Sequence, residues 1–246
     1  MDFIRTFDEA TPLLLQGIRL TVSISLLSLL IGMIIGFFAC ILGMSRSRVL
    51  RAVSGIYVWI VRGTPMIVQA FIVYFGMPQV IQRFFVPDFK IEPFAAGLIT
   101  LSLNAGAYLS EIFRGGIMAV NKGQHEAARS LGLSKSRTMI KVVLPQAVKV
   151  AIPSMVNQFI ITVKDTSILS IIGLADIVNR AKVYVGKSYQ FFATYILVAV
   201  YYLIVISLLM LFSKYLEGNR PHNKRGRGCV HNRAFRLGEI NSAPLP

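Results

Sequence analysis

Apolar residues are gathered into long runs separated by short charged stretches. The first run, Leu20–Met44, contains no charged residue. As a helix it measures about 37 Å, enough to cross a hydrocarbon core of about 30 Å with some tilt. A second run covers Met66–Ile81 and is led in by Ile56–Val61. A third, Phe94–Phe113, is interrupted only by Asn104 and Glu111. The fourth is Leu144–Val163 and the fifth Phe191–Phe212. The pattern predicts an all-α integral membrane protein with about five transmembrane helices. Asp2, Asp8 and Glu9 ahead of the first run do not resemble the basic start of a cleavable leader.

The connections set the expected orientation. Arg46, Arg48 and Arg51 follow the first run. Arg83 and Lys90 follow the second and are balanced by Asp88 and Glu92. Arg114, Lys122, Arg129, Lys135, Arg137 and Lys141 follow the third, against the acid Glu126. Basic loops favour the cytoplasmic side. The N-terminus is therefore expected outside, and the first and third connections and the C-terminus inside. The fourth connection, with Lys164, Arg180, Lys182 and Lys187, is basic yet falls outside by alternation, because both neighbouring connections are more strongly basic. Residues 1–217 are expected to form one membrane domain. Residues 218–246 are polar and basic without an apolar period, and are expected to be a disordered cytoplasmic tail, either solvated without a task or binding lipid or a partner.

Composition agrees with this pattern. The 246 residues are 54% hydrophobic and 15% charged, with a mean hydropathy of +0.63. Soluble domains carry about 25% charged residues. The net charge of +15 fits cytoplasmic loops and anionic lipid, and nucleic acid is not an expected partner, because the cations are scattered between apolar runs. No Cys/His cluster has metal-ligand spacing, no Gly-x-Ser-x-Gly elbow occurs, and no GxxxxGK[ST] phosphate loop is present. No cofactor and no enzymatic site of its own are expected.

The third connection carries the most information. Gln124–Leu131 is good helix material, and Gly132 can end it with a left-handed cap. Ser134 can cap a second helix, Lys135–Val143, and Pro145 is expected to open the next span. Ala127 and Ala128 present a small surface able to sit deep in a partner's groove, and Glu126 offers a charge to set register. The other use of such a segment is an amphipathic helix lying on lipid.

Glu126-Ala127-Ala128, Gly132 and Val142-Val143-Leu144-Pro145 together resemble the coupling-loop motif of bacterial ABC importer permeases, which prefer Ile at the place of Val142. Arg62-Gly63-Thr64-Pro65, the run from Ala107 to Ile117, and Lys164-Asp165-Thr166-Ser167 resemble the polar amino acid branch of that family. The likeness spans about residues 12 to 216. It implies a permease subunit in the bacterial inner membrane, multi-pass, that dimerises with an identical or sister chain. It further implies a coupling helix docked on a dimer of ATP-binding subunits, an extracytoplasmic substrate-binding protein, and a polar amino acid as cargo. Glu126, Ala127, Ala128 and Gly132 would be the coupling residues. The competing class is an ion-coupled secondary amino acid transporter, which paired broken helices in inverted repeats would favour.

Polar groups inside spans usually face a cavity or another helix. Asn104 and Tyr108 stand one helical turn apart and are candidates for the substrate pathway. Asn157, Thr162 and Asp165 are expected on a broad common face of the fourth span. Lys164 and Asp165 can serve a zwitterion, or neutralise one another. Glu111 is expected to pair with Arg114, and Gln69 to hydrogen-bond between helices. Ser167–Gly173 can form a re-entrant or gate-like segment. Gly63 and Pro65 should bend the entrance to the second span. Arg62 can either snorkel to lipid phosphates or serve a dimer or ATPase face. Gly32 and Gly36 permit close helix packing.

Overall fold

The computed structural model describes residues 3–218, and all of its regular elements are helices. Expectations for the tail beyond Gly218 lie outside the described residues. The long helix α1, Phe3–Gly43, starts well before Leu20. Its early turns are amphipathic: Thr6, Ala10, Leu14 and Gly17 form a buried stripe, while Arg5 and Glu9 pair beside it at 2.8 Å. At 41 residues it measures about 62 Å, roughly twice the hydrocarbon core.

A broken unit follows. Helix α2, Arg48–Gly63, meets α3, Met66–Phe71, at Thr64-Pro65, and α3 runs through a wide turn into α4, Met77–Phe84. The two arms are bent by 106°. Proline lacks the N–H that would continue the ladder and holds the residue before it extended. Gln69 caps the break: its Nε2 donates to the carbonyls of Val61 at 2.7 Å and Thr64 at 3.0 Å. The expected bend is present, and Gln69 of α3 bonds across it to the end of α2, as expected, reaching the Thr64 hydroxyl as well at 2.9 Å.

Helix α5, Pro93–Met118, is the central post. It packs along α1, where a Cβ on Gly36 would meet Gly106 O at 2.8 Å and Leu109 Cβ at 2.9 Å. The Gly32/Gly36 pair therefore serves close packing within the chain. Helix α6, Lys122–Ser130, and the short α7, Lys135–Thr138, form the third connection. From α7 the chain continues through a wide turn at Met139–Val143 into α8, Leu144–Leu169. Pro145 thus stands in the first turn of α8, as expected, although the chain enters α8 from a helical wide turn rather than from a loop. Each wide turn ends one residue short of a proline, Pro78 or Pro145, whose ring clashes with an α-helical carbonyl four residues back, inside the turn. Gln146 Nε2 donates to Val142 O at 3.0 Å and so satisfies one carbonyl there.

The segment expected to be re-entrant is a 3-10 turn, Ser170–Ile172, closed by Gly173 at φ 86° and followed by α9, Ile177–Ser188. Helix α9 docks on the early turns of α1, with Ile177, Ala181 and Tyr184 packed against Ala10 and Leu14. The final helix, α10, is Phe191–Gly218.

By length and apolarity, three helices can cross a membrane, and the bent α2–α4 unit makes a fourth. Helix α5 has the length, at 26 residues, but its small and polar side chains face neighbouring helices, so its hydropathy is lower. Apolar side chains such as Leu203 (68% exposed) and Leu208 (62%) line the outside of α10. Lipid tails and partner helices are the solvents that suit them.

Candidate functional site

The third connection folds through local rules. Asn121 caps α6 by accepting from Gly123 N at 2.8 Å. At its far end Gly132 N donates to Arg129 O at 3.0 Å and Leu133 N to Ala128 O at 3.2 Å, with Gly132 at φ 82°. This is the paired-bond Schellman ending, which satisfies carbonyls that a helix end otherwise leaves open. Ser134 then caps α7, its Oγ accepting from Arg137 N at 3.4 Å.

The two alanines do not share one surface. Ala127, Glu126 and Gly132 are exposed, whereas Ala128 is buried against its own chain at 5% exposure. Successive helical residues point about 100° apart, so one alanine faces outward and the other fastens α6 to the turn that enters α8.

The intramembrane polar groups divide by helix. On α5, Asn104 is buried at 8% exposure and Tyr108 is half-buried. Arg62, at the end of α2, holds its guanidinium 5.1 Å from the centre of the Tyr108 ring, a cation–π contact. Tyr57 donates to Leu103 O at 2.6 Å and ties α2 to the same stretch of α5. Arg114 pairs with Glu111, as expected.

On α8 the expected common face does not form. Asn157 and Lys164 are exposed, Asp165 is half-buried, and Thr162 is buried at 2% exposure with its hydroxyl donating to Gln158 O at 2.9 Å. Residues five apart lie about 140° from each other around a helix, too far to share a face. Lys164 and Asp165 make no ion pair among the described residues; adjacent side chains diverge around the helix. No hydrogen bond joins the α5 pair to the α8 group among the described residues.

Apolar spanning helices, a capped third connection and a bent α2–α4 unit stand together in one chain. Residues 12–219 match the family of binding-protein-dependent transport system inner membrane components. The chain belongs to this family. It is 35% identical over 208 residues to the glutamine transport system permease protein of Escherichia coli (strain K12), covering 85% of this chain and 93% of that protein. It is 36% identical over 223 residues to the arginine transport system permease protein of Bacillus subtilis (strain 168), covering 91% and 99%. The solved structure of an amino acid ABC transporter with histidines superposes with a TM-score of 0.80 at 35% identity, covering 87% of this chain and 99% of that one. A methionine ABC transporter in an inward-facing conformation, at TM-score 0.68 and 19% identity over 84% of this chain and 95% of its own, shares the fold.

The permease carries two features that the sequence reading did not single out. Asp176 is fully buried and caps α9, accepting from Asn179 N at 2.9 Å and Val178 N at 3.3 Å. Burial pushes its carboxyl up to about 6, against the pull of those backbone N–H groups and of Lys182. An acid directly before an apolar pair is a helix-start signal that was open to sequence reading. The second feature is a polar pocket of about 450 Å³ between the start of α1 and the end of α9, lined by Arg5, Glu9, Tyr184 and Lys187 among others. Tyr184 donates to Glu9 there at 3.1 Å. That contact joins positions 175 apart and has no local signal.

Proposed function

We propose that this permease carries a polar amino acid inward, driven by ATP hydrolysed on separate ATP-binding subunits. The observation that carries the reading is the match over nearly the whole length to glutamine and arginine permease proteins and to an amino acid ABC transporter. In this reading the permease has five spans, with the N-terminus outside and the C-terminus inside. It pairs with a second permease chain, identical or a sister. Helix α6 docks in a groove of the ATP-binding subunit through its exposed side, with Ala127 at the contact, Glu126 setting register, and Gly132 shaping the turn. Ala128 supports the docking indirectly, by fastening α6 to the base of α8. Closure of the ATPase pair then moves α8, because α7 and α8 are one continuous helix. A substrate-binding protein delivers cargo on the side of the polar pocket between α1 and α9. Asn104, Tyr108, Asn157, Lys164 and Asp165 are the proposed pathway groups, and Thr162 packs behind them.

Family membership leaves the ion-coupled alternative without support. The test is uptake of labelled glutamine or arginine into vesicles holding the permease, its ATP-binding subunit and its binding protein. Uptake should need ATP and stop with vanadate. Uptake that persists without ATP and collapses with an ion gradient would sink the proposal.

A further inference from the structure

Arg62 is out of place for a structural residue. It is the next-to-last residue of α2, about 21 Å along the axis beyond Arg48. Among the described residues its guanidinium has no carboxylate partner; the two ion pairs present are Arg5–Glu9 and Arg114–Glu111. It is exposed, and what it touches is the face of Tyr108. A cation that far into a spanning unit is costly unless it lines a polar cavity or meets a partner. An aromatic face attracts the charge without neutralising it.

The surroundings hold Arg62 ready. The 106° break follows directly, with Pro65 stopping α2 and Gln69 closing the freed carbonyls, so the backbone around Arg62 is fixed from both sides. Tyr57 pins α2 to α5 at Leu103. Asn104, one turn from Tyr108, makes no side-chain hydrogen bond among the described residues although it is largely buried. A planar guanidinium is suited to a two-pronged bond with a carboxylate, and a ring contact is readily exchanged for it. Lys164, the other exposed cation among the proposed pathway groups, has an acid as its immediate neighbour in sequence, Asp165.

We infer that Arg62 receives the carboxylate of the transported amino acid, leaving its resting place on Tyr108 to do so. This rests on the amino acid reading above. It makes the α-carboxylate, common to every α-amino acid, the feature recognised at the break of α2, and leaves side-chain preference to other groups.

The experiment uses the permease with its ATP-binding subunit in lipid nanodiscs, and measures binding of L-glutamine, L-arginine and their α-amides. Wild type should prefer each acid over its amide by about tenfold or more, the scale of one lost charge-assisted bond. In Arg62→Gln the preference should vanish. Arg62→Lys, which keeps the charge but not the fork, should retain part of it, and it carries the test if the Gln variant does not assemble. Arg62→Gln, or failing its assembly Arg62→Lys, with the full wild-type preference overturns the inference alone. A wild-type complex that neither binds nor imports any α-amino acid overturns the substrate class, and the inference with it.

Discussion

Asp176 shows how one side chain sets a condition on the whole subunit. Its carboxylate closes the first turn of α9 yet has no contact with solvent. Burial penalises the charged form more than the cap rewards it, so the folded state holds the proton up to about pH 6 where the ordinary value is 3.8. The folded state therefore binds the proton more tightly than the unfolded chain does. The resulting stabilisation is fully present below 3.8 and is lost as pH rises through about 6. Purified permease should melt at a higher temperature near pH 5 than near pH 7.5, a difference on the order of a few degrees for about 1–2 kcal/mol. Asp176→Asn keeps an acceptor for Asn179 N and removes the titration, so its melting temperature should change much less between those conditions. An Asn variant with the same pH response as wild type would remove Asp176 as the source.

At the scale of elements, α6 and its exit turn form a small device specified locally. The glycine after the helix, the serine that caps the next one and the small residues of α6 are all close in sequence, and all were legible there. The separation of Ala127 from Ala128 was not, because which side of α6 is covered depends on the turn into α8. Gly132→Pro is incompatible with φ 82° and deletes the N–H that bonds Arg129 O, so it should unmake the turn. Ala127→Asp puts a charge on the exposed side, which docking would have to strip of water. Both variants should reach the membrane and leave substrate transport reduced tenfold or more while the associated ATPase keeps turning over, an outcome scored by parallel uptake and phosphate-release assays. Normal transport by both would end the docking proposal. The four α8 candidates show the opposite case. A run of polar residues was visible, but a helix offers different faces at adjacent and five-apart positions, so Asn157, Thr162, Lys164 and Asp165 scatter between the exposed and buried sides.

At the scale of the whole molecule, orientation follows from charge and gives a direct test. In a cysteine-free background, Gln124→Cys on α6 should react with an impermeant maleimide only from the cytoplasmic side. Gln190→Cys, between α9 and α10, should react only from outside. Labelling of both from one side would overturn the orientation and the expectation that the fourth connection is external despite its lysines.

Sequence alone determined that the chain is helical and embedded in a membrane, where its apolar runs lie, and that the third connection is a capped helix–turn–helix. These follow from composition, from a period of about 3.6 residues and from caps that act over a single turn. Tertiary structure decided the rest. It extended α1 back to Phe3, because an amphipathic start is stabilised only once α9 covers its stripe; Ile177 N meets Thr21 Oγ1 at 3.4 Å across 156 positions. It set Arg62, placed by the locally encoded break at Pro65, over Tyr108 of a distant helix. Such contacts depend on how distant helices pack, and no local preference of the chain encodes which of its faces will meet.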